Sequence, residues 1–165
     1  MSSASNRIER GLVLSAGAYA IAGGMLSLLG WGLEIPRLKD WMNDGITMKA
    51  NTAACALVAG LALVLSQLTP RGKWRIRVLG GVVALVGSLT LLQHLTGWNL
   101  GIDTLLFSEA PGAVATAAPN RMGPPASTSF VFLGVALVLT ASGARARRWA
   151  AALGLASSCV SRHFR

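Results

Sequence analysis

Residues 50–68 read ANTAACALVAGLALVLSQL, and after Thr69-Pro70 the chain continues RGKWRIR over 71–77. The first stretch holds no Asp, Glu, Lys or Arg; the second holds Arg71, Lys73, Arg75 and Arg77. An uncharged run of about 20 residues suits the ~30 Å hydrocarbon layer of a bilayer, since a helix rises about 1.5 Å per residue. No water reaches the backbone there, so such a run must close its own hydrogen bonds as a helix. A basic cluster directly after it marks the flank that stays cytoplasmic. Three more uncharged runs fit the same template: 11–33 (GLVLSAGAYAIAGGMLSLLGWGL), 78–98 (VLGGVVALVGSLTLLQHLTGW) and 126–144 (ASTSFVFLGVALVLTASGA). The expected fold is all-α: a polytopic membrane protein with four transmembrane helices.

Composition agrees. The 165 residues are 53% hydrophobic and 13% charged, about half the ~25% charge of a soluble domain, and mean hydropathy is +0.55. Disorder is excluded and an ordinary soluble domain disfavoured. A net charge of +9 on a soluble chain would suggest nucleic acid, but the charges divide by side. With four spans, both termini and the 69–77 loop share a side carrying eleven basic residues against Glu9 alone, a net +10. These include Arg71, Lys73, Arg75, Arg77, Arg145, Arg147 and Arg148. The opposite side nets −1. The arginines therefore read as topology determinants and contacts to anionic lipid headgroups, with no nucleic-acid partner and both termini cytoplasmic in a bacterial inner membrane. All five tryptophans fall at expected interfaces, Trp31, Trp41 and Trp98 outside, Trp74 and Trp149 inside, as amphipathic rings prefer. A cleaved signal peptide ending near Ala20-Ile21-Ala22 is the lesser alternative, because the apolar run continues to Leu33. Cys55 and Cys159 sit far apart in apolar stretches, without disulfide or metal spacing.

The chain also resembles itself. At an offset of 74, residues 48–65 match 122–139 through Met48/Met122, Gly60/Gly134, Ala62/Ala136, Leu63/Leu137, Val64/Val138 and Leu65/Leu139. At an offset of 67, LLGWGLEI (28–35) matches LTGWNLGI (95–102). The expected unit is a helical hairpin used twice in parallel: a short N-tail (1–10), a first hairpin (11–73), a second hairpin (74–144), and a basic C-tail (145–165) that begins an incomplete third repeat. Small residues at spacings of four (Ala16/Ala20/Gly24, Ala56/Gly60, Gly80/Ala84/Ser88) suit close helix packing, within the bundle or in a homodimer. The outer segments alternate Leu33, Ile35, Leu38, Trp41 and Met42, then Leu100, Ile102, Leu105, Leu106 and Phe107, with acids; they should lie at the membrane surface. Residues 109–120 (EAPGAVATAAPN) read as a mobile linker.

Ile35-Pro36, then Met48-Lys49-Ala50-Asn51-Thr52-Ala53, then Leu95-Thr96-Gly97-Trp98-Asn99-Leu100-Gly101-Ile102-Asp103 with Leu105-Leu106-Phe107 form a recognisable set. It resembles the multi-pass N-terminal sensory region of bacterial sensor histidine kinases, PAS-domain signalling proteins and diguanylate cyclases, over roughly residues 12–155. The resemblance implies a membrane sensory input module that precedes cytoplasmic PAS, GAF, kinase or GGDEF domains. The match departs at Arg121-Met122-Gly123-Pro124-Pro125, and 157–165 (SSCVSRHFR) has the look of a truncated or frameshifted end. It carries over no ligand residues.

Chemistry-bearing candidates are few. Gln93 and His94 form the one polar pair able to face the bundle interior; an intramembrane ionisable residue is a functional candidate by default, though a packing role is preferred for a lone histidine. Asp103 is either the N-cap of a short surface helix, the preferred reading, or a ligand contact, and Trp98 lies close to it in sequence. Asn51, Thr52, Ser127, Thr128 and Ser129 should satisfy helix starts or cross-helix bonds, and Tyr19 should pack inside. No carboxylate pair, activated nucleophile, P-loop or His/Cys cluster appears, so the expectation is no enzyme, no cofactor and no metal. The competing readings are a small transporter or channel, for which His94 is the one coupling candidate, and a structural inner-membrane protein.

Overall fold

The computed structural model describes residues 3–42, 45–69, 72–109, 112 and 118–142. Every regular element among them is helical: α1 (Ser3–Gly32), α2 (Pro36–Lys39), α3 (Ala50–Leu68), α4 (Lys73–Thr96), a 3-10 turn at Ile102–Thr104, and α5 (Pro124–Thr140). Three helices are long and apolar enough to cross a membrane: Asn6–Gly32, Ala50–Leu68 and Lys73–Thr96. The fourth apolar helix, α5, has 17 residues, or about 26 Å at the usual rise, and the expected span 126–144 runs on into residues outside the described set. Arg71, Arg145, Arg147, Arg148 and Trp149 also lie outside it, as does the incomplete third repeat.

Helix ends follow local chemistry. Pro124 and Pro125 open α5, where an N–H would be unpaired in any case. At the other end of α4, Gly97 takes a left-handed φ of +73° and returns its N–H to the Gln93 carbonyl, the usual glycine stop. The helix α3 starts without a side-chain cap of its own, and a distant residue supplies one, as described below.

Two antiparallel pairs make the bundle. In α1–α3, a Cβ built on Gly17 would meet the Gly60 carbonyl at 3.1 Å, and one on Gly24 would meet the Ala53 carbonyl at 2.6 Å and the Leu57 N at 2.8 Å. In α4–α5, Gly80 faces the Gly134 carbonyl at 2.9 Å, and Gly87 faces the Ser127 carbonyl at 2.9 Å and the Val131 N at 3.0 Å. The helices approach so closely that backbone touches backbone, which only small residues allow. Gly24, Gly60 and Gly80 are thus occupied by helices of the same chain. The equivalent contacts lie 74 residues apart on the second helix of each pair and 63 apart on the first. Side chains follow the same register. The Trp31 Nε1–H donates to the Met48 carbonyl at 2.9 Å, and His94 Nε2 bonds the Met122 carbonyl at 2.9 Å. Ser27 and Thr90, both fully buried, are again 63 apart. The Gly-Trp match at offset 67 does not carry into the packing: Trp31 is 7% exposed inside the bundle, whereas Trp98 is 65% exposed beyond the end of α4.

The pairs meet along α3, α4 and α5. Ala59, Ala62, Ile76, Val83, Leu137 and Ala141 form the buried apolar cluster, toward the end where α4 begins (the basic end). There the Arg77 guanidinium donates to the Ala141 carbonyl at 3.0 Å, satisfying one of the orphan carbonyls that end α5. The outward faces are apolar: Leu12, Tyr19, Leu26, Leu29, Val78, Val82 and Leu85 are all exposed. Tyr19, at 72% exposure, points away from the bundle rather than packing inside it, because the inner face of α1 is taken up by Gly17 and Gly24. Of the seven largest fully buried side chains, five are polar: Gln93, Asn120, Thr90, Ser27 and Ser127. A polar-flecked interior under a greasy exterior inverts the arrangement water favours and suits a hydrocarbon surround.

Candidate sensing region at the distal end

The described residues of the segments 33–49 and 97–123 gather at the other, distal end. The turns at Gly97 and Gly101, with φ of +73° and +70°, fold the chain back over the last turn of α4. A buried amide in an apolar helix needs partners on both its atoms, and this reversal supplies them to Gln93. Its Oε1 accepts the Leu100 N–H at 2.7 Å, and its Nε2 donates to Asp103 Oδ2 at 2.9 Å. The same carboxylate oxygen accepts Arg121 Nε–H at 2.7 Å, with side chains 9% and 3% exposed. Asp103 is therefore not an N-cap: Gly101 precedes the 3-10 turn, and no side chain caps it. The charged partner at Arg121 outcompetes local capping. Asp103 Oδ1 and Thr90 Oγ1 are buried without a partner.

A second buried pair sits beside it. Lys49 Nζ lies 2.7 Å from Glu109 Oε1, each side chain 8% exposed. The same oxygen accepts the Thr47 hydroxyl at 3.2 Å, and Glu109 Oε2 accepts the Asn120 N–H at 2.6 Å. Burial pushes the Glu109 carboxyl up, but the Lys49 ammonium, with the Asn120 N–H and the Thr47 hydroxyl, more than offsets this and holds it below its ordinary value. Asn120, at a φ of +55° that Asn tolerates better than most residues, then makes the connection across the molecule. Its Oδ1 accepts the Ala50 N–H at 2.9 Å and its Nδ2 donates to the Phe107 carbonyl at 2.8 Å. So the missing cap of α3 is contributed from 70 residues away. Asn51 adds a bond from Nδ2 to the Ile102 carbonyl at 3.0 Å. Of the stretch 109–120, expected to be a mobile linker, residues 110–111 and 113–117 lie outside the described set; Glu109 and Asn120, at its two ends, make the bonds above.

Of the sequence candidates, Gln93 and Asp103 come together, and His94 turns to Met122. Trp98 stands apart, its side chain exposed on the surface and its backbone N–H donating to the Thr96 hydroxyl at 3.2 Å. A carbonyl only accepts, so His94 carries its proton on Nε2. Among the interface tryptophans, Trp41 and Trp74 are exposed, and Trp74 lies under the Arg75 guanidinium at 5.9 Å. Trp31 is not at a surface: it stacks on Phe107 at 6.0 Å, with Lys39 Nζ 4.2 Å above its ring. Ser127 and Thr128 both donate to the Pro124 carbonyl. Sequence reasoning passed over Lys49, Glu109, Asn120 and Arg121 as working residues; their one advance signal was charge and amide in segments otherwise rich in Ala and Pro. Among the described residues no three His, Cys, Asp or Glu side chains group to hold a metal.

Below this polar layer lies a cavity of about 320 Å³ between α3 and α4. Its walls are Ala54, Cys55, Val58, Val82, Val83, Leu85, Val86 and Leu89; Ile102, Leu105 and Leu106 roof it. Asn51 is the only polar amide on its lining.

No family model matches this chain, and no curated protein or solved structure is significantly similar to it. What is established is a helical protein with three helices suited to a membrane.

Proposed function

We propose that this chain is an integral membrane sensory module, of the kind that feeds a signalling output from the transmembrane region of a sensor histidine kinase. In this reading α5 is a fourth span, the distal end faces the exterior and both termini are cytoplasmic, as the +10 and −1 division of charge supports. The matched contacts of Gly17/Gly60 and Gly80/Gly134, with those of Trp31/Met48 and His94/Met122, support two hairpins in repeat. The basic residues of the inner side then meet anionic headgroups.

One observation carries the sensory reading: the distal segment is bonded to the ends of both helix pairs at once. Asp103 holds Gln93 of α4 and Arg121 before α5, while Asn120 and Glu109 hold Ala50 and Lys49 at the start of α3. A stimulus that lifts the segment must alter how the two pairs sit against each other. Such a two-state element, biased from one end, is the physical requirement for relaying a signal. A transporter reading lacks this support, since its one coupling candidate, His94, is engaged with a backbone carbonyl.

The test uses the full chain in nanodiscs, spin-labelled at Leu12 on α1 and Val78 on α4, both exposed near the basic end. Asp103→Asn should weaken the hold on Arg121 and change the inter-label distance distribution. Release of the distal segment with no change at the labels refutes the relay. Reporter tags at the two termini should both read cytoplasmic; tags on opposite faces refute the topology.

A further inference from the structure

The cavity between α3 and α4 has a chemistry that narrows its occupant. We infer that it takes a single acyl chain of a membrane lipid, entering sideways from the bilayer. This rests on the membrane reading above and names the ligand class for the roofed site.

Position comes first. The lining residues of α3 run from Asn51 to Val58, so the cavity reaches about 12 Å down from the start of that helix, well inside the hydrocarbon layer. Its floor is where Val83 joins the tight apolar cluster. The rim includes Val82 at 45% and Leu85 at 58% exposure, both on the face of α4 that looks away from the bundle. Hydrocarbon, not water, borders that opening.

Chemistry comes second. Asn51 spends one Nδ2–H on the Ile102 carbonyl, and every other wall side chain but the Cys55 thiol is aliphatic. A ring bearing several carbonyls or hydroxyls would find at most one amide and one thiol to bond, at a cost that disfavours it. A plain chain loses nothing. At 320 Å³ the cavity is about ten times the ~30 Å³ share of a water molecule in the liquid, room for a segment of an acyl chain. Its roof, Ile102 to Leu106, belongs to the segment that Asp103 and Glu109 tie down, so chain entry and the polar clasp act on the same backbone.

The probe is a fatty acid with a diazirine near its methyl end, used with the full chain in phosphatidylethanolamine/phosphatidylglycerol vesicles, with crosslinks mapped by mass spectrometry. Labelling of 51–58 and 82–89 should exceed that of the exposed α1 face around Tyr19 and Leu26 at least tenfold. It should saturate and be displaced by unlabelled palmitate. Ala54→Phe and, independently, Val86→Phe should each remove it while leaving the α1 background unchanged. Labelling no stronger than on α1, or labelling that never saturates, would mean bulk lipid contact and overturns the site. Displacement by an isoprenoid quinone but not by palmitate overturns the acyl assignment. Absence of labelling on α1 as well would instead sink the membrane reading itself.

Discussion

Replacing Gly134 by alanine asks how closely α4 and α5 must approach. A Cβ there would run into the Ala84 backbone N and would sit 2.6 Å from the Gly80 carbonyl and 2.8 Å from Ala84 Cα. All three are backbone atoms, so no side chain can swing aside. Ordinary contact to that carbonyl begins near 3.4 Å, and α5 must therefore back away by about 0.8 Å along its central turns. Overpacking of this kind costs about 1–3 kcal/mol, and the retreat also loosens Gly80 against Leu137 and Gly87 against Val131. We expect a destabilisation near the top of that range. Gly81, the neighbour of Gly80 on the same helix, has nothing within 4 Å of its built Cβ. Alanine there removes a helix-weakening glycine and should stabilise by roughly 0.5–1 kcal/mol. The two variants should thus differ by about 3.5–4 kcal/mol, several hundredfold in the folded-to-unfolded ratio. Steric-trapping or reversible detergent unfolding measures this directly. Gly60→Ala, facing the Gly17 carbonyl at 2.7 Å and the Ile21 N at 2.9 Å, should match Gly134→Ala. A harmless Gly134→Ala, or a Gly81→Ala equally damaging, would refute the close-approach argument.

Other expectations concern the distal clasp. Gln93→Leu removes both anchors of the chain reversal, and the Leu100 N–H should lose its slow hydrogen exchange. Asp103→Ala strands Arg121 in a buried position and should cost about 3–5 kcal/mol, more than Gln93→Leu by the same unfolding measurement. The Glu109 carboxyl is held below its ordinary value, so its contribution is present above the unfolded pKa of about 4.3. That contribution fades as pH falls through the folded value. Proteolysis of the distal segment should rise below about pH 4, and Glu109→Gln should flatten that dependence while lowering protection at neutral pH. His94→Leu forfeits one hydrogen bond, worth about 1 kcal/mol, and should leave ion flux across vesicles at background; a flux that depends on His94 would revive the transporter reading.

Much of the bundle was legible because long uncharged apolar runs favour helices of matching length. The span expected at 50–68 coincides with α3, and those at 78–98 and 126–144 have ends within five residues of those of α4 and α5, whereas α1 begins eight residues before the expected Gly11. Of the small residues expected to pack, Gly24, Gly60 and Gly80 do, whereas Ala16 and Ser88 are exposed and Gly17 and Gly87 take contacts of the same kind. The alignment of the two halves was less secure. Gly-Trp at 30–31 and 97–98 is the most conspicuous local identity, yet Trp31 shares its contact with His94 instead. An indole and an imidazole both present a ring N–H, a likeness that residue identity does not display. The clasp was hidden for a different reason. Lys49 and Glu109, or Ala50 and Asn120, are 60 and 70 residues apart, and nothing local announces a partner so distant. Asp103 was misread because a carboxylate after Gly-Ile has the local pattern of a cap, while Arg121 overrides it.

The borrowed cap on α3 bears on how the protein is made. Synthesis makes Ala50 70 residues before Asn120, and Lys49 60 residues before Glu109. Through that interval the amide of Ala50 and the ammonium of Lys49 lack the partners that later hold them. The first helix pair thus stays unfinished at its distal tip until the later segment has been made.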